Sequence, residues 1–153
     1  MRRTRFEDAD CPIARTTDLM GDWWTPMVMR EAFLGRRRFD EFQKALSVSR
    51  GILAKRLLRL VDEGLLEKRA YESRPPRFEY ILTEKGRAFY SVLAAMWRFG
   101  EDLLWEEGSE PPLQLFDRET GEPVVPRVVN ERTGVPIDVR QTRLGERRKV
   151  REQ

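Results

Sequence analysis

Histidine is absent from this chain and cysteine occurs once, as Cys11. Without an imidazole, Ser-His-Asp and Cys-His catalysis and histidine metal ligation are excluded. A single cysteine excludes an internal disulfide and any multi-cysteine metal site. No apolar run approaches the ~18 residues that a membrane-spanning helix needs. Residues 1–11 lack the apolar middle of a secretory signal, so the expectation is a cytoplasmic protein with no membrane partner. Paired carboxylates at a defined spacing and a glycine-rich phosphate loop are missing too. An enzyme therefore has little support, and no cofactor or metal is expected.

What the chain does have is positive charge in one place. Net charge is only +3, from 29 basic and 26 acidic residues, so overall charge does not by itself argue for nucleic acid. Between Gly35 and Arg59, however, eight basic residues face two acidic ones, Asp40 and Glu41. The last 46 residues, by contrast, carry nine basic and eight acidic. The excess falls on a stretch with helical periodicity.

Residues 12–20 read as a short helix, with Cys11 at the N-cap, Pro12 at the first helical position and Gly21 past the end. Thr25-Pro26 opens a second helix, whose apolar Met27, Val28, Ala32 and Phe33 recur at helical spacing until Gly35 stops it. A third helix is predicted from about Asp40 to Leu46. Ser49 then suits the N-cap of a fourth helix ending at Gly64, with Leu53, Leu57, Leu60 and Val61 as its core stripe. Two adjacent short helices joined by a turn of a few residues are the signature of a helix-turn-helix. The runs 65–71 and 77–82, separated by Glu72-Ser73-Arg74-Pro75-Pro76, alternate as a β-hairpin, and a hairpin in this position is a wing. Thr83 caps a long helix predicted to reach about Trp105. The fold class expected is α+β, mainly α: a winged helix-turn-helix with a long C-terminal helix and a small β-rich extension.

That long helix carries two apolar stripes. Phe89, Val92, Met96, Phe99 and Leu103 form one, and Tyr90, Leu93, Trp97 and Leu104 form the other. One can cover the chain's own core, while the second needs another surface, which points to a homodimer. A helix buried on both sides within one chain is the alternative. Beyond a linker, Asp117-Arg-Glu-Thr-Gly-Glu-Pro-Val and Asn130-Glu-Arg-Thr-Gly-Val-Pro-Ile repeat 13 residues apart, and each reads as a small β-turn unit. The division expected is an arm over residues 1–10, a winged-helix domain over 11–106, a turn extension over 107–142 and a basic, disordered tail over 143–153.

The face of the fourth helix opposite its leucines presents Arg50, Gly51, Ala54 and Lys55, with Arg56 and Arg59 toward its side. Small residues between cations suit a helix lying in a major groove, where Arg50 and Lys55 can donate to base edges or phosphates. Ser49 and the helix N-terminus can hold a phosphate. Arg74 and Arg77 flank the hairpin tip and can reach backbone or minor groove. Arg36, Arg37 and Arg38 are further phosphate candidates, although Arg38 could instead pair with Asp40 or Glu41. The plainer alternative, an ordinary solvated charged face, loses ground because this helix sits between a short helix and a wing. A winged-helix module that contacts only protein is the competing function; it would usually expose apolar anchors on this face.

Residues 11–105 resemble HxlR-type winged-helix regulators, relatives of the MarR group. The resemblance rests on Cys11-Pro12, Gly21-x-x-Trp24-Thr25, Met29-Arg30-Glu31, Gly35-x-x-Arg38-Phe39, Leu53-x-x-Arg56-Leu57-x-x-Leu60, Glu63-Gly64-Leu65, Pro75-Pro76-Arg77-x-Glu79-Tyr80 and Leu82-Thr83-x-x-Gly86. It implies a dimeric repressor or activator on a partly palindromic operator, read by the fourth helix and the wing. Where many members have Gly-Lys-Trp, this chain has Asp22-Trp23-Trp24, so the phosphate contact implied there lacks its cation. The resemblance also makes Cys11 a candidate redox sensor; a packed or capping thiol is the alternative. Met20, Trp23, Trp24, Met27 and Trp97 are candidates for an apolar effector pocket, or simply core and interface. Residues 113–140 resemble the zinc-ribbon-like extension of some members, with Asp117, Thr120, Asn130 and Thr133 where Cys-x-x-Cys knuckles would stand. No zinc is expected, and a turn unit without ribbon ancestry is the alternative.

Overall fold

The computed structural model describes residues 6–106, 108–109 and 111–145. The first half of the expected arm, and the tail from residue 146, lie outside the described residues. The chain forms two compact units, divided after Leu93.

The first unit contains helices α1 (Pro12–Met20), α2 (Trp24–Phe33), α3 (Phe39–Leu46) and α4 (Arg50–Asp62), the antiparallel strands β1 (Leu66–Ser73) and β2 (Pro76–Leu82), and the short helix α5 (Glu84–Ala88). α1 keeps its predicted bounds, ended by Gly21 at φ 70°. Ser49 caps α4 by accepting the Ile52 N–H at 3.4 Å, and Leu53, Leu57 and Leu60 are fully buried against Val28, Met29, Phe42, Leu65 and Leu66. Every apolar position of α4's stripe thus faces one core, and burying each such side chain contributes ~1.5–3 kcal/mol. The hairpin pairs Leu66 with Leu82 and closes at Ser73–Pro76, so its turn is shorter than the break predicted between 72 and 76. β1 carries an irregularity between Ala70 and Glu72, where Tyr71 is the extra residue. A third segment joins the sheet's edge: Arg38 bridges Glu79, and the Tyr80 N–H donates to the Arg37 carbonyl at 2.7 Å.

The long helix expected from Thr83 to Trp105 is two helices. α5 stops at Ala88 and α6 runs Tyr90–Leu103, with Phe89 between them. Packing at and before Phe89 accompanies the break. Gly86 sits so close to the end of the α4–β1 turn that a Cβ there would meet the Leu65 carbonyl oxygen at 2.0 Å. The Thr83 hydroxyl donates to the Gly64 carbonyl at 2.6 Å while accepting the Gly86 N–H at 2.9 Å. α5 is thereby tied to that turn, and the Phe89 ring is buried in the core. The two apolar stripes are redistributed as well. Leu93, assigned to the dimer stripe, packs with Val92 against the core. Met96, Phe99 and Leu103, assigned to the core stripe, are exposed, as are Tyr90 and Leu104.

In the second unit, the two halves of the 13-residue repeat share their closing backbone hydrogen bonds. The Asp117 N–H donates to Glu122 O as that of Asn130 does to Val135 O, both at 2.8 Å. Val124 pairs with Leu115 as Ile137 does with Val128, and Gly121 and Gly134 stand at φ 72° and 70°. In both turns the side-chain oxygen of the first residue accepts a backbone N–H two residues on, Glu119 to Asp117 and Arg132 to Asn130. Asp117 also accepts the N–H of Thr120. The Asp117 and Thr120 side chains are thus engaged in the turn itself.

Candidate nucleic-acid interface

The helix-turn-helix is built by α3, the tight turn at Ser47 (φ 50°) and α4. α3 begins with a backbone clasp. The Glu41 carboxylate accepts the N–H groups of Arg37 at 2.8 Å and Arg38 at 3.0 Å, which holds its pKa below the ordinary 4.5. The same two residues edge the hairpin through their backbones, so one carboxylate locks the start of α3 to the base of the wing. Arg38's guanidinium lies over the Tyr71 ring at 4.7 Å. It stacks on the wing.

α4 presents three faces. Leu53, Leu57 and Leu60 point into the core. Arg50, Gly51, Ala54 and Lys55 are exposed, and Arg50's guanidinium rests over the Phe39 ring at 5.0 Å. Among the described residues a Cβ added to Gly51 would meet nothing within 4 Å. Glycine inside a helix costs ~0.5–1 kcal/mol relative to alanine, and no described neighbour requires it.

The third face carries two of the arginines expected to contact DNA, and both are paired within the fold. Arg56 reaches Asp22 at 2.6 Å, with both side chains largely covered. Arg59 donates to the Asp18 backbone carbonyl at 2.5 Å and lies 3.7–3.8 Å from the carboxylates of Glu63 and Asp18. Both turn toward α1 and the α1–α2 junction, where the buried Asp18 and the largely covered Asp22 compensate their charge. Arg36 is exposed, loosely paired at 3.8 Å with the buried Glu31. Arg37 is exposed. At the wing tip Arg74 is exposed, and Arg77 pairs with Glu72 at 3.3 Å in the open.

Asp22 is the residue that sequence reasoning missed. Its Oδ1 accepts the N–H groups of Trp24 at 2.8 Å and Thr25 at 3.2 Å, which starts α2 one residue before the predicted Thr25. An aspartate two or three residues before a helical run was the available signal. Of the proposed effector-pocket residues in the first unit, Met20 and Trp24 pack against the core, Met27 is half-buried and Trp23 is 78% exposed. Trp97 belongs to the second unit. There it lines an open cavity of about 290 Å³ with Met96, Gly100, Glu101, Trp105 and residues 111–113. Cys11 is exposed at the start of α1 with no side-chain capping bond, and Arg15 Nε donates to the Ala9 carbonyl. Among the described residues no helix is long and apolar enough to cross a membrane, and no cluster of three metal-ligating side chains occurs.

Residues 19–107 match the family model described as HxlR-like helix-turn-helix, which spans more than half of the chain. The chain belongs to the HxlR-like helix-turn-helix family. It is 35% identical over 136 residues to an uncharacterized HTH-type transcriptional regulator of Mycobacterium tuberculosis, covering 89% of this chain and 84% of the relative. Among solved structures it is similar to PA1607, described as a putative transcription factor, with a TM-score of 0.84 at 37% identity, over 94% of this chain and all of that one. It is also similar to the reduced redox regulator HypR, with a TM-score of 0.57 at 31% identity, over 61% of this chain and 97% of that one. The likeness to PA1607 extends over the turn units, whereas that to HypR covers little more than the winged helix. An HxlR-family chain of this kind is a DNA-binding transcriptional regulator and not an enzyme.

Proposed function

We propose that the chain acts in the cytoplasm as a homodimer, reading a partly palindromic operator in double-stranded DNA through α4 and the wing. The observation that carries this reading is the open face of α4. Arg50 and Lys55 flank Gly51 and Ala54, and the glycine has no internal reason to be there. A small residue between cations lets the helix axis approach the floor of a major groove, so that Arg50 and Lys55 reach base edges. Ser49 and the N-terminus of α4, Arg36, Arg37 and the exposed tip residues Arg74 and Arg77 supply phosphate contacts, and Arg38 braces the wing. The exposed apolar residues toward the C-terminal end of α6, Phe99 and Leu103, with Leu104 just beyond it and the half-buried Trp97, support dimerisation, and Tyr90 at its start is exposed as well. The exposed Cys11, together with the likeness to a redox regulator, supports thiol oxidation as the controlling signal, ahead of an apolar effector at Trp97.

A second reading rests on Ile52 and Leu58, which are 40% and 62% exposed beside the basic face. Apolar anchors there would suit a partner protein in place of DNA. The test is titration with random duplex DNA at rising salt, followed by fragments selected for tight binding. Several phosphate contacts impose a steep, linear fall of log affinity with log salt. Gly51→Ala is expected to stabilise the fold by ~0.5–1 kcal/mol while weakening binding to the selected duplex. A flat salt response, or a Gly51→Ala variant that binds as tightly as the parent, transfers the face to a protein partner.

A further inference from the structure

The third face of α4 has so far been given only a structural part, yet its geometry does something specific. Asp22 is a junction: one carboxylate oxygen caps the N-terminus of α2, and the other meets the Arg56 guanidinium at 2.6 Å. Among the described residues Arg56 Nε and Asp22 Oδ2 are buried and make no hydrogen bond, so the 2.6 Å ion pair is what compensates each charge. One turn along, Arg59 ties the same helix to Asp18 at the end of α1. Leucines alone leave a helix free to rotate by small angles over an apolar core, since dispersion and burial have no direction. A close ion pair to a carboxylate whose other oxygen is fixed by two backbone N–H groups ties the helix to one point on its neighbour, and so does have one.

We propose that Asp22 and Arg56 are positioning residues for DNA recognition: the pair sets the rotation of α4, and with it the reach of Arg50 and Lys55 to base edges, without itself touching DNA. The inference rests on the reading of α4 as the recognition helix. Base readout tolerates errors of only ~0.5 Å, so a small rotation costs specificity before it costs phosphate attraction.

Asp22→Asn separates this role from simple electrostatics. The amide oxygen still caps α2, while net charge rises from +3 to +4. Coulomb attraction alone then predicts tighter binding to any duplex. Positioning predicts the opposite for the cognate site: about tenfold weaker binding to the selected duplex, with random-duplex affinity at least retained and the salt slope unchanged. Arg56→Met is expected to match that loss, the double variant to be no worse than either single, and Arg56→Lys to recover part of it. If Arg56 contacts a phosphate instead, Asp22→Asn tightens binding, Arg56→Met lowers the salt slope by about one, and lysine substitutes fully; that pattern overturns the proposal. Equal discrimination by the parent and both single variants overturns it too. Should Asp22→Asn fail to fold, the Arg56→Met and Arg56→Lys pair decides alone. A parent chain that prefers no duplex over random DNA instead removes the recognition-helix reading on which the inference stands, a result distinct from discrimination that survives substitution.

Discussion

The unit ending at Leu93 and the pair of turns after residue 113 are ordered by different forces. In the first, Val28, Met29, Phe42, Leu53, Leu57, Leu60, Leu65 and Leu66 close over one another, and the elements they come from are far apart in sequence. In the second unit no described residue is buried, yet two turns repeat the same hydrogen bonds at the same offsets. The comparison teaches that a segment can have a definite backbone without a core, when an Asx side chain and a glycine at positive φ satisfy the turn locally. Apolar side chains such as Phe116, Val129 and Ile137 stay exposed there, so they contribute little to the stability of the chain by itself.

The sharpest way to break this contrast is a paired truncation of side chains. Leu57→Ala is expected to cost ~2–5 kcal/mol, because it empties a fully buried site. Ile137→Ala should stay within ~0.5 kcal/mol. Urea unfolding followed by circular dichroism measures both, and comparable losses would mean that the turns share a core with something else. A smaller effect is expected from glycine. Gly86→Ala drives a Cβ against the Leu65 carbonyl and should cost at least ~1–3 kcal/mol in the same measurement. Gly134→Ala meets open space and strains only its own φ of 70°, for ~1–2 kcal/mol confined to its turn.

The smallest effect separates the two turns from each other. Backbone N–H groups of Thr120 and Glu119 hold the Asp117 carboxyl below its ordinary pKa of 3.8, whereas Asn130 in the second turn does not titrate. A depressed folded pKa stabilises the turn above the ordinary value, and that contribution is lost as pH falls through the folded pKa. Amide NMR between pH 7 and pH 2 should therefore show Thr120 losing its hydrogen-bonded shift at the acid end while Thr133 stays constant. Parallel behaviour of the two amides would show that the carboxylate is not what holds the first turn.

Much of this was legible in the residues. The bounds of α1, the cap of α4 by Ser49, the leucine stripe, the hairpin and both turns follow from signals within a few positions of one another. The inward turn of Arg56 and Arg59 was not. Periodicity sets them beside the open face, but the carboxylates that capture them come from α1 and the α1–α2 junction, 41 residues upstream in Arg59's case. Nor was the break at Phe89 visible, since residues 84–103 have no proline and the packing that accompanies it is against the Leu65 carbonyl.

By itself, then, the sequence determined the order of elements, the family, the basic open face of α4 and the paired turns, because helix caps, periodicity and turn chemistry act over a few residues. Which arginines remain free, how the wing is braced on Glu41 and Tyr71, and where the C-terminal helix is interrupted were decided only by the tertiary structure. Those outcomes depend on which charges and carbonyls the fold brings within ~4 Å of one another, and chain separation carries no record of that distance.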